Sequence, residues 1–419
     1  MPVNDDDLRL ISQPALTALV VPVGLLVVLV SALFVPVLSV VVGQPIDYGM
    51  RLYFAEALHN GTFSQQIPAK LVTPHVLYER LVILLYQLTP AVGFRGAGFL
   101  VAFGFYILLA LVLYWLFVEM VGTPTGLRAG MIYAVSVIVL MLVTPITLFT
   151  PTNLYFGYIG INVYHSPTIL LLKPFAVALF YLSYRILDRR LTGRRWFMLA
   201  CLVLVSVLCV EAKPSYGVVL VPVVLVASLC QKRRHHSPDW LLLVGGIVAP
   251  IGLMLGGQAL SYGTEHLEVA PLAVFDAWST RFNSDASANL LPKFTLSILF
   301  PLVVYITHFA RAKRTPYLNL AWLGFGFGAA YTYLLAESDR VEFGNLTWCG
   351  QIALFVLFVM SAIFFLEQNR RVLSAGVPEK TPAFMLCLGV SALHLVSGIV
   401  WYEVHLSEMP IVDMQFKLW

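Results

Sequence analysis

Between Arg9 and Asp47 the chain carries no Asp, Glu, Lys or Arg. A helix needs about 20 consecutive apolar residues to cross the hydrocarbon core of a bilayer, so residues 14–42 are long enough to span it with some tilt. The run exceeds the roughly 7 to 15 residues of a signal-peptide core, and no small-residue cleavage site follows it, so it reads as a retained signal anchor. The rest of the sequence is of the same kind. Of 419 residues 59% are hydrophobic and 11% charged, against roughly 25% charged in a soluble domain.

Further charge-poor runs lie near residues 97–118, 129–149, 167–187, 240–263, 294–310, 317–336, 347–366 and 382–401. Basic clusters at Arg185/Arg189/Arg190/Arg194/Arg195, Lys232/Arg233/Arg234, Arg311/Lys313/Arg314 and Arg370/Arg371/Lys380 are cytoplasmic by the positive-inside rule. Both ends of the stretch 196–231 are therefore cytoplasmic, and it must go out and return, turning near Glu211-Ala-Lys213-Pro214. The same parity makes residues 43–96 one external loop. Its apolar stretch 72–90 should lie at the interface, because Glu79 and Arg80 would each cost roughly 2.5 to 3.5 kcal/mol at a helix centre. The expected fold is an all-α integral membrane protein of about eleven spans, with two interfacial helices in that loop. Its N-terminus is expected in the cytoplasm and its C-terminus outside. Residues 1–419 read as a single polytopic domain without a soluble accessory domain or internal repeat.

The formal charge of +4 is too small to suggest a nucleic-acid partner. The five cysteines stand singly in or beside apolar runs, without metal-ligand spacing, and read as packing residues. No Walker loop, zinc pattern, GxSxG or dinucleotide fingerprint is present.

The candidate chemistry sits on the external side. Asp47 opens PIDYGMRLYFAEALHNGTF, a helix expected to run to about Leu58, where an acid serves equally as an N-cap and as a reactive carboxylate. Tyr48 follows it. His75 fits a proton carrier or phosphate donor as well as an ordinary histidine at a helix start. Glu79 and Arg80 read as a solvated face. His165 stands at the mouth of a helix begun by Ser166-Pro167, and Lys173 lies about two turns inside it. A cation at that depth must snorkel, pair or line a hydrated cavity. Glu211 and Lys213 occupy the external turn, either neutralising each other or leaving Lys213 to hold a phosphate. The loop AESDRVEFGNLTW supplies Glu337, Asp339 and Arg340, the last suited to phosphate. Asn60-Gly-Thr62 and Asn345-Leu-Thr347 match the glycosylation tripeptide.

A first helix, then a large external loop headed by an acid, two interfacial helices and many spans resembles the type C glycosyltransferases, polytopic enzymes that use sugars carried on polyprenyl phosphates. The residues that carry the resemblance are PIDYGMRLYFAEAL, PHVLYERLVILLY and the polar loops NVYHSPT, EAKPSY and AESDRVEFGN, best over the first 120 residues. It implies a catalytic carboxylate at Asp47, assisted by His75 or His165. It also implies donor-phosphate ligands among Lys173, Lys213 and Arg340, a polyprenyl-phosphate sugar as donor, a glycan, lipid or protein acceptor, and a place in the bacterial inner membrane. Metal-dependent members carry paired acids in this loop; here Tyr48 and Gly49 follow Asp47, so no cofactor is expected, with a divalent metal left open. Two other readings compete: a secondary transporter, against which stands the lack of acids within the spans, and a non-catalytic membrane subunit that binds a lipid or a protein partner.

Overall fold

The computed structural model describes residues 13–45, 47–67, 74–148, 156–188, 194–232, 238–262, 267–338, 340–369 and 381–407. The first half runs through α1 (Gln13–Val41), α2 (Asp47–His59), α3 (Phe63–Gln66), α4 (Leu77–Leu88), α5 (Gly93–Val121), α6 (Leu127–Leu142), α7 (Pro167–Leu187), α8 (Arg195–Ala212) and α9 (Ser215–Lys232). A π-helical stretch, Leu241–Val248, continues into α10 (Ala249–Tyr262), followed by strand β1 (Leu267–Val269) and α11 (Ala273–Arg281). Then come α12 (Leu290–Thr307), α13 (Phe309–Ala312), α14 (Pro316–Leu334), strand β2 (Leu335–Glu337), α15 (Thr347–Gln368) and α16 (Pro382–Leu406).

Among the described residues eight helical segments are long and apolar enough to cross a membrane: α1, α5, α7, α8, α10 with its π-helical start, α12, α15 and α16. The chain is a helical membrane protein. Two further expected spans are shorter apolar helices, α6 and α9, and the third is the 19-residue α14. Within the stretch 72–90, expected not to cross, Leu77–Leu88 form the 12-residue α4. The turn expected near Glu211 falls between α8 and α9, at Lys213 and Pro214. One feature departs from an all-helical chain: β1 and β2 pair antiparallel, Leu267 opposite Glu337 and Val269 opposite Leu335.

Burial sorts the helices. The most apolar window of α15 is 89% buried and that of α7 78%, whereas α1, α8, α10 and α16 each stand at 28%. Hence α15 and α7 form the centre, and the exposed leucines and valines of the others face lipid, which is as apolar as they are. The helices α2 and α4 pack on each other and on α5, and α4 also reaches α7 and α8.

The expected span 129–149 is helical only to Leu142, and residues 143–148 are extended or irregular. Proline at 145 disfavours helix in Thr144, and irregular backbone inside a bundle survives only if its polar groups find partners. They do. His394 Nδ1 donates to the Thr144 carbonyl at 2.6 Å and its Nε2 accepts from the Phe300 N–H at 3.3 Å. Ser397 Oγ donates to the Pro145 carbonyl at 2.6 Å. Pro301 interrupts the ladder of α12, and the nearby Leu296 carbonyl accepts from Ile146 N–H.

Candidate functional site

Asp47 is the first residue of α2, where a carboxylate complements the helix dipole. One turn on and on the same face, Arg51 points inward. Its Nη1 donates to Glu79 Oε1 of α4 at 2.7 Å and its Nη2 to His75 Nε2 at 2.9 Å. Arg51 and Glu79 are 5% and 0% exposed. The expectation of a solvated face at Glu79 is thus corrected: a guanidinium from the neighbouring helix makes burial tolerable, since a buried charge needs an opposite partner. Arg80 does face out, its guanidinium 3.7 Å from the Glu211 carboxylate.

A guanidinium has only donors, so His75 Nε2 must present its lone pair and Nδ1 carries the proton. The geometry assigns the tautomer. Burial first, then the charges of Arg51 and Lys213, hold the His75 pKa well below its ordinary value, so the ring stays neutral. Its Nδ1–H is buried without a hydrogen-bond partner among the described residues, as are the hydroxyls of Tyr48 and Tyr78 and Glu79 Oε2. The rings of Tyr48 and Tyr78 meet edge to face at 6.0 Å, and burial pushes both phenols up, keeping them protonated donors.

Lys213 enters from the turn between α8 and α9. It is buried, its Nζ donates to Thr168 Oγ1 at 3.4 Å, and it sits 4.2 Å from the centre of the Trp348 ring. Burial, and then Arg51, pull its pKa down to about 7, while Asp47 pulls it upward. His165 belongs to the same field: burial lowers its pKa, Asp47 opposes that and Lys213 reinforces it. One carboxylate, two neutral imidazoles, a guanidinium fixed by Glu79 and an ammonium near its midpoint at neutral pH are therefore grouped at the α2–α4 end of the bundle. Such a set can take up a proton and hold an anion.

The structure gathers Asp47, Tyr48, His75, His165 and Lys213, with Glu211 at the edge through Arg80. Lys173 has other company: its Nζ donates to Asn162 Oδ1 at 2.6 Å and lies 4.6 Å from the Phe355 ring centre. Asn162 in turn donates to the Leu140 and Val143 carbonyls at the end of α6. Glu337 accepts from Asn345 Nδ2 at 2.7 Å, and Arg340 precedes the short turn Val341–Phe343. Both belong to the α14–α15 loop, and Asp339 lies outside the described residues. Reasoning from sequence missed Arg51 and Trp348 as parts of the group. The spacing of Arg51 four residues after Asp47 was the available signal; nothing local marks Trp348. Among the described residues no three His, Cys, Asp or Glu side chains come together as metal ligands.

Comparison with protein-family models, with curated proteins and with solved structures gave no match.

Proposed function

We propose that this chain is a glycosyltransferase of the inner membrane of a bacterium, transferring a sugar from a polyprenyl-phosphate carrier to an acceptor hydroxyl on the non-cytoplasmic face. In this reading α6, α9 and α14 cross with the other eight helices, and the N-terminus is cytoplasmic. The observation that carries it is that Asp47, partly exposed at the head of α2, stands within electrostatic reach of the buried Lys213. A base beside an anion-holding cation is what displacement of a phosphate by an alcohol requires.

Asp47 accepts the proton of the acceptor hydroxyl as its oxygen bonds to the sugar C1. The bond from C1 to the phosphate oxygen breaks on the opposite face, and the polyprenyl phosphate leaves with the electron pair, inverting the anomeric centre. Lys213 and the His75 Nδ1–H donate to the departing phosphate, where charge-assisted hydrogen bonds are strongest. Arg51, tied to Glu79, orients His75. The acceptor, a glycan, lipid or protein, approaches the exposed side of Asp47.

The test uses purified full-length protein in liposomes with radiolabelled polyprenyl-phosphate arabinose, mannose and glucose. Asp47→Asn should lower transfer by at least ~100-fold, the lower range for losing a general base, with an unchanged thermal transition. Near-normal transfer by that variant would sink the reading.

A further inference from the structure

The last helix contributes polar atoms that this chemistry leaves unused. His405, the penultimate residue of α16 and 1% exposed, places its Nδ1 2.9 Å from the Trp401 carbonyl oxygen. A carbonyl only accepts, so Nδ1 carries the proton and the neutral ring presents a lone pair at Nε2. That atom is buried and has no hydrogen-bond partner among the described residues. The Tyr164 ring stands edge-on to the imidazole, with centroids 5.2 Å apart, and its hydroxyl is likewise buried and unpartnered.

A phenol donates and this imidazole nitrogen accepts. Leaving either unmade is costly in a packed interior, and buried polar groups in folded proteins are otherwise almost always satisfied. A single hydroxyl group, being donor and acceptor together, would satisfy both. Neither ring is loose. Phe34 and Tyr402 flank Tyr164, at 6.1 and 6.0 Å, while Trp401 at 4.6 Å and the parallel ring of His165 at 6.3 Å flank His405. The pair also adjoins the site. His165 feels the charge of Asp47, and Tyr106, stacked on Phe34 at 4.1 Å, lies within electrostatic reach of both Tyr48 and Tyr164.

Depth decides which molecule brings the hydroxyl. Tyr402 Oη donates to the Leu33 carbonyl, eight residues and so about 12 Å of helix below the end of α1. An acceptor arriving from outside meets Asp47 first, whereas the sugar of a lipid-borne donor reaches this depth, where aromatic rings suit its C–H faces. We infer that Tyr164 and His405 form a subsite that binds one ring hydroxyl of the transferred sugar and selects donors by that hydroxyl. The inference rests on the glycosyltransferase reading.

The experiment compares kcat/KM of the full-length protein in nanodiscs for polyprenyl-phosphate arabinose, mannose and glucose. For whichever is transferred, the corresponding monodeoxy analogues follow. Wild-type protein should prefer the parent over one deoxy analogue by at least about tenfold, because a site built to bond a hydroxyl rejects a sugar without it. Tyr164→Phe, which removes one oxygen and leaves the ring packed, should reduce that preference to within about twofold, and His405→Asn should restore more of it than His405→Ala. Wild-type transfer without discrimination among deoxy analogues, or a preference unchanged in Tyr164→Phe, would overturn the subsite and leave the enzyme reading standing; a resident water would give that result. Absence of transfer from every donor would overturn both.

Discussion

Arg51 and Glu79 lock two short helices together at the edge of the bundle, Nη1 to Oε1 at 2.7 Å with both side chains almost wholly buried. Removing one partner of such a pair strands the other charge, at a cost of about 3 to 5 kcal/mol. Arg51→Ala and Glu79→Ala should each lower the apparent melting temperature in detergent markedly. Arg51→Met combined with Glu79→Leu should be far closer to wild type, because the packed volume is kept and no lone charge remains. A double variant as unstable as the singles would show that the charges themselves are required.

Lys213 gives a dependence on pH with a defined sign. Its ammonium titrates near the ordinary 10.5 when unfolded and near 7 when folded. Between those values the unfolded chain holds the extra proton, so stability rises with pH, by about 1.4 kcal/mol per unit at most, and the penalty is complete below about 7. Unfolding followed from pH 6 to 9 should show this slope in the wild type and lose it in Lys213→Met.

Anion binding should run the opposite way. Only the protonated Lys213 attracts phosphate, so retention of a polyprenyl-phosphate donor on the protein should weaken as pH rises through 7. Lys213→Arg, whose side chain keeps its charge, should flatten that profile. A wild-type profile flat from pH 6 to 8.5 would remove Lys213 from the phosphate-binding role.

Much of the fold was legible because lipid and charge leave strong marks. The charge-free run to Asp47 and the pair Glu79-Arg80 suffice for α1 and the short α4. The end of α6 at Leu142 was not legible, since the groups that satisfy the irregular backbone, His394 and Ser397, lie some 250 positions away. The β1–β2 pairing is equally non-local. At the candidate site the individual residues Asp47, His75, His165 and Lys213 stood out as polar groups in apolar surroundings, and the burial of Glu79 did not. Its partner Arg51 is on another helix, and a sequence read alone prices Glu79 as an unpaired charge.

Gly98 marks where α2 and α4 meet α5. A Cβ there would stand 2.5 Å from Leu52 Cδ2 and 2.6 Å from Tyr78 Oη, closer than packed atoms tolerate. Gly98→Ala should push both short helices outward, costing about 1 to 3 kcal/mol as overpacked cores do. Transfer should fall further than stability, because Asp47 and His75 move with those helices. The comparison is with Gly104→Ala on the same helix, where a Cβ has nothing within 4 Å; equal effects of the two would mean that the fit of α2 and α4 on α5 is not what holds the group together.

The proposed side of the reaction depends on which face of the membrane carries residues 43–96. Gln65, exposed at the end of α3, and Arg314, exposed after α13, should lie on opposite faces. In a background with Cys201, Cys209, Cys230, Cys349 and Cys387 replaced by alanine or serine, Gln65→Cys should react with a membrane-impermeant maleimide in intact spheroplasts. Arg314→Cys should react only after permeabilisation. The positive-inside bias supports this assignment through the cluster Arg311/Lys313/Arg314, so the same labelling reads the parity of the whole chain. The reverse pattern would put Asp47 and Lys213 in the cytoplasm, where soluble nucleotide sugars are the more accessible donors, and the lipid-borne donor would lose its rationale.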